Sequence, residues 1–158
     1  HNDFQMYDKE GAADYPDYRK LSADLLFKWN GFSLLAEYVN ATANGLNGLY
    51  VEKDEGAKLK PRQIANYLAL GNGLNVQAGY LFRKLWALDV AYSKVNPEWK
   101  ETGQSVLREA DNITFGASKY FNNNTFKLQL AGSYTSYNQL VGAGSKEFQV
   151  KLNLHILF

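Results

Sequence analysis

Phe148-Gln149-Val150-Lys151-Leu152-Asn153-Leu154-His155-Ile156-Leu157-Phe158 carries an apolar side chain at every even position. The odd positions hold Gln, Lys, Asn and His until Leu157 breaks the rule. Six apolar residues in six alternate places arise by chance roughly 1% of the time at this composition, so the stretch predicts a β-strand with one apolar and one polar face. The same period recurs upstream. It predicts strands over 20–29, 32–41, 75–83, 85–95, 112–121 and 125–137, seven with the last. Each is about ten residues long, the length of a tilted strand crossing a bilayer and longer than the usual globular strand of about 5–6.

The connections are of two kinds. Asn30-Gly31, Arg83-Lys84 and Asn122-Asn123-Asn124 read as tight turns, and Asn-Gly is the strongest short hairpin signal. Between them lie long links at 40–74, 95–110 and 138–146, which hold Pro61, Pro97 and much of the charge. Strict alternation of short and long connections is the pattern of an outer-membrane β-barrel, with periplasmic turns and extracellular loops. Aromatic residues gather near strand ends, among them Trp29, Phe32, Phe82, Trp86, Phe121 and Phe126, as interfacial girdles do. A soluble antiparallel sandwich also alternates, but its Greek-key connections mix lengths. The expected fold is therefore all-β, an antiparallel transmembrane barrel with seven strands in this chain.

Composition agrees. The chain has 158 residues, 46% of them apolar and 15% aromatic, with a net charge of +1; the mean hydropathy is −0.39. An aromatic-rich chain with a hydrophilic mean fits strands that are greasy on one side and wet on the other. No run of about 18 apolar residues exists to form a membrane helix. Zero cysteines exclude disulfides, thiolate zinc and cysteine nucleophiles. The charge balance gives no argument for nucleic acid. The chain opens at His1 with neither an initiator methionine nor a signal sequence, which reads as processing, trimming or a piece of something longer.

With the short turns in the periplasm, the last strand ends there and residues 1–18 fall on the extracellular side. Seven strands leave an open edge, which lipid forbids. Either His1–Tyr7 adds an eighth strand, closing a small barrel without a pore, or the chain is the C-terminal part of a larger barrel. The 1–18 segment is acidic and offers only Phe4 and Met6 to lipid. It reads as loop, and the larger barrel is expected.

The stretch from Ile64 to Pro97, with Gly71-Asn72-Gly73, Gln77-Ala78-Gly79-Tyr80-Leu81-Phe82 and Trp86-Ala87-Leu88-Asp89-Val90-Ala91-Tyr92-Ser93, resembles the phosphate-selective porin O and P family, particularly its Bacteroidetes members. Gly116-Ala117-Ser118-Lys119-Tyr120-Phe121 and the final strand fit the same pattern. The resemblance implies an outer-membrane location, a barrel of about sixteen strands of which these are the last seven, a trimer, and passage of small anions. It also implies that lipid, lipopolysaccharide and the remaining N-terminal strands are the partners, with a larger outer-membrane complex as another assembly. Phe148, Val150, Leu152, Leu154, Ile156 and Phe158 resemble the C-terminal signal that directs such barrels to their insertion machinery.

Strand parity places Lys20, Lys28, Lys127 and Lys151 with Asp24, Glu37 and Asp89 on the lumen face, together with His155. Arg19, Arg62, Arg83 and Arg108 lie outside strand centres, so the arginine ladder of phosphate-selective members is missing from this part. The lumen acids are expected to answer lysines on neighbouring strands, each pair contributing little. His155 stands without a second histidine near it in sequence, and reads as a wet lumen residue. No catalytic set, metal site or cofactor is expected, and Asp54-Glu55-Gly56 lacks the spacing of a calcium loop. Lys119 falls on the lipid face near the periplasmic turn, where it can snorkel. Residues 61–71 predict a short helix from Pro61 to Gly71, either folded inward to constrict a pore or capping the rim. The expected function is passive diffusion of small hydrophilic solutes, with a structural or docking role as the alternative.

Overall fold

The computed structural model describes residues 6–46, 48–50, 58–59, 61–64, 68–83, 85–98, 107–121, 126–138 and 145–156. Two short strands, β1 (Met6–Tyr7) and β2 (Ala13–Asp14), pair with each other. Seven long ones follow: β3 (Asp17–Trp29), β4 (Phe32–Asn44), β5 (Gly71–Phe82), β6 (Trp86–Pro97), β7 (Ala110–Phe121), β8 (Phe126–Tyr137) and β9 (Ser145–Ile156). They form a single antiparallel meander in chain order. A one-turn helix, α1 (Pro61–Ile64), lies between β4 and β5.

Most strands extend further toward the long links than hydropathy predicts. β4 continues through Ala41, Thr42, Ala43 and Asn44, where neither face is greasy enough to register as alternation. Backbone pairing continues regardless, as in Asn40↔Asn72, Ala41↔Gly71 and Gly71↔Pro97. The links therefore shrink from 40–74, 95–110 and 138–146, and Pro97 closes a strand instead of lying in a loop. The helix is shorter than expected, and Gly71 opens β5 rather than ending it. The 1–18 segment is not all loop either. Met6–Tyr7 sits in a hairpin with β2, and Tyr7 also bridges Tyr50 through two backbone bonds of 3.0 and 2.9 Å. That part of the candidate eighth strand is thus engaged away from the main sheet.

The β3–β4 turn works as its sequence demands. Asn30 and Gly31 both have positive φ, 44° and 86°, as a type I′ turn requires. A side chain at Gly31 would also press on the Leu81 carbonyl, 2.8 Å from its Cβ position. The β5–β6 connection has three residues rather than two, since Phe82 pairs with Trp86 across Arg83, Lys84 and Leu85. Asn122–Asn124 lie outside the described residues.

The register is staggered. Trp29↔Phe32 closes the first hairpin, and Phe32 pairs with Tyr80, two residues short of Phe82↔Trp86. Trp86 pairs with Lys119, again two residues short of Phe121↔Phe126. Two residues per hairpin is about one per strand. A rise of about 3.4 Å for each strand spacing of about 4.8 Å tilts the strands by about 35°, within reach of the 35–45° tilt of closed barrels.

Burial is inverted relative to a soluble domain. Large apolar residues of the sheet are exposed, with Leu152 at 68%, Phe115 at 61% and Leu130 at 52%. The apolar core sits off the sheet, where Met6, Ala43, Leu46, Leu49, Leu59, Ile64 and Leu70 pack together with Leu68 against them. This lobe joins the N-terminal hairpin to the long link after β4. Leu49, Ile64 and Leu70 are essentially sealed from solvent. Backbone bonds from Leu59 N to Leu49 O (2.8 Å) and from Leu68 N to Ile64 O (2.9 Å) fix its shape.

Candidate functional site

Cross-strand partners share a face, so the register assigns every side chain of the sheet to one of two surfaces. The first carries Leu21, Leu25, Phe27 and Trp29 of β3 and continues without a break to Val150, Leu152, Leu154 and Ile156 of β9. Five alternate positions, as from Phe126 to Tyr134, span about 27 Å along a strand and about 22 Å along the axis at the inferred tilt, against about 25 Å for the apolar band of an outer-membrane barrel. Aromatics border it at both ends. Trp29, Phe32, Phe82, Trp86, Phe121 and Phe126 follow the staggered short-turn end; Tyr38, Tyr92, Tyr134 and Phe148 stand toward the other. Beyond the second border the same face turns polar, with Lys94 paired to Asp111 at 3.4 Å.

Lys119 lies on this face at the short-turn end, as expected. Its Nζ sits 4.3 Å from the centre of the Trp86 ring, so the charge is held against an aromatic face. Phe148, Val150, Leu152, Leu154 and Ile156 all face this way and are exposed. Phe158 lies outside the described residues.

The second surface is polar and concave. Residues of six successive strands, from Lys28 on β3 to Lys127 on β8, line one hollow of about 470 Å³. Lys28, Asp24, Glu37, Asp89, Lys127, Lys151 and His155 all belong to this face. Register groups them in a way parity alone cannot. One cross-strand row reads Asp24–Glu37–Asn75–Ser93–Asn112–Thr135–Glu147. Two acids therefore face each other directly, rather than each answering a lysine. Glu37 accepts a 2.6 Å hydrogen bond from Asn75 Nδ2 instead. In the same row Asn112 Nδ2 donates to Thr135 Oγ1 at 2.7 Å. Among the described residues the concave face contains no lysine–carboxylate pair within bonding distance.

Beyond an intervening row that begins Leu26–Leu35–Gln77, another reads Lys28–Ser33–Gly79–Asp89–Gly116–Ala131–Lys151. It places one acid between two distant lysines, with only small residues in between. His155 pairs with Lys127, whose Nζ lies 5.4 Å from the Tyr120 ring centre. Among the described residues no group of three His, Asp or Glu side chains converges to hold a metal. Comparison with protein-family models, with curated proteins and with solved structures finds no match.

Sequence reading missed Glu147, whose odd number puts it on the polar face, because the alternation was counted only from Phe148. With it, the concave wall holds Lys20, Lys28, Lys127 and Lys151 against Asp24, Glu37, Asp89 and Glu147. The lobe's position bears on the loop helix. Ala41 and Ala43, both on the concave face near the end of β4, are buried, and Ala43 belongs to the lobe. No described residue of 45–70 lines the hollow farther along the strands. Ile64 of the helix packs in the same lobe as Ala43.

Proposed function

We propose that this sheet is part of the wall of an outer-membrane porin, with its convex face in lipid and its concave face lining a water-filled pore for small hydrophilic solutes. The observation that carries the reading is the unbroken, aromatic-bordered apolar face across all seven strands, opposite a predominantly polar one. No second layer covers that apolar face among the described residues, so a soluble sandwich would leave it in water at a large cost. The stagger supports the same reading, since strands must tilt to close. Among the described residues β3 and β9 are each paired on one side only, and we assign their other partners to further strands of the same barrel, because an open edge is not tolerated in lipid.

The Ile64–Pro97 stretch supports placing the chain with the phosphate-selective porin O and P family as part of this proposal. Anion selectivity is not included in it. Four lysines against four acids give this wall no excess of one sign to focus an anion. The mechanism is sieving by size, with water replaced along the wall by the amides and hydroxyls of the concave face.

Planar-bilayer recording of the full-length protein tests the reading. Stepwise conductance with little preference between potassium and chloride is expected. Correctly inserted protein that conducts nothing contradicts it.

A further inference from the structure

We propose that the hollow around Asp89 is a solute-binding site that takes a short peptide by its two ends, the ammonium on Asp89 and the carboxylate on Lys28. This rests on the pore reading and adds the substrate class to it.

The site is built by what is absent from its floor. Asp89 is flanked on both neighbouring strands by glycine, Gly79 on β5 and Gly116 on β7. Its carboxylate lies across Gly79, where any Cβ would collide with Oδ1. The Ser33 hydroxyl stands 3.2 Å from the same spot. Lys28, Ser33, Gly79, Asp89 and Tyr120 together line a recess of about 500 Å³. Nothing on the floor between Lys28 and Asp89 is larger than serine, so a solute can lie flat along the row.

The charges are held open by geometry. Lys28 and Asp89 are three strands apart, about 14 Å between backbones. Neither forms an ion pair among the described residues. Lys151 is equally far from Asp89 on the other side, but the carboxylate leans toward Gly79 and Lys151 does not line the recess. Lys127 is committed to the Tyr120 ring. The lean of Asp89 and the reach of the Lys28 side chain shorten the gap. An extended peptide of two or three residues spans about 7–11 Å, which suits what remains. A neutral sugar can hydrogen-bond to both groups but compensates neither charge, and a simple ion compensates one. A zwitterion of this length answers both with charge-assisted hydrogen bonds.

Glycylglycine added to single channels in a planar bilayer tests this. The wild-type current should fall with peptide concentration, while N-acetyl-glycylglycine amide, with both ends neutral, should leave it unchanged. Asp89→Asn and Lys28→Gln should each raise the half-blocking concentration about tenfold, the loss of one charge-assisted contact. Both side chains face the hollow rather than a core, so folding should survive. Open channels blocked equally by capped and free peptide, or unaffected by either substitution, overturn the site while the pore stands. Channels that never open overturn the pore and the site together.

Discussion

Leu130→Arg should destabilise the inserted protein by about 2–4 kcal/mol, the cost of a guanidinium at the middle of the lipid face of a barrel. Leu130 is midway between Phe126 and Tyr134, on the apolar face, paired with Ala117 and Leu152. An arginine there cannot reach either interface without distorting its neighbours. Gln129→Arg, one residue earlier, points to the concave side with Ser118 and Asn153. It should change stability by less than about 1 kcal/mol, because the charge remains in water. Urea unfolding in lipid vesicles measures both. Equal effects at the two positions would mean that the faces do not differ in solvent.

Ile64→Asp should unfold the cap. Ile64 is fully buried in an apolar cluster with Leu49, Leu59, Leu70 and Met6. An unpaired buried charge costs about 3–5 kcal/mol, more than a lobe of this size can absorb. Ile64→Val removes one methylene and should cost about 0.5–1.5 kcal/mol. Hydrogen exchange should then show the Leu49 and Leu68 segments losing protection in the Asp variant while β5 to β9 keep theirs. If the sheet walls a pore as proposed, its long-link mouth should also admit larger solutes, because the lobe packs on Ala43 at the concave side of β4. Protection unchanged from wild type would show that the lobe is not held by this core.

The sheet was legible because an apolar face opposite a polar one imposes a period of two along each strand. Phe148 to Ile156 alone carries enough of that pattern to place one strand, and the tight turns fix its neighbours. The strand ends were not legible. Asn40 to Asn44 project beyond the apolar band, where Asn40, Thr42 and Asn44 take the outer face and the small Ala41 and Ala43 the concave one, so the pattern of large apolar residues ends. The cap was hidden for another reason. Met6 and Ile64 are 58 residues apart in sequence, and neither segment is periodic. Their contact depends on a long link folding back on the N-terminal hairpin. Parity put the charged residues on one face of the sheet, yet their grouping was not legible. Whether Asp24 faces a lysine or Glu37 depends on register, which the Asn30-Gly31 turn fixes for that hairpin and the long links leave open elsewhere. The glycines beside Asp89 carried a signal that composition hides: small residues recurring on the polar face of adjacent strands.

The chain has no cysteine, so single cysteines can be placed one at a time without background. Spin labels along Phe126–Tyr137 of the membrane-inserted protein measure exposure to lipid-dissolved oxygen and to a water-soluble nickel complex. The account predicts oxygen maxima at 128, 130 and 132 and nickel maxima at 129, 131 and 133, out of phase with period two. Equal nickel access at both sets, as for a sheet in water on both sides, would contradict it.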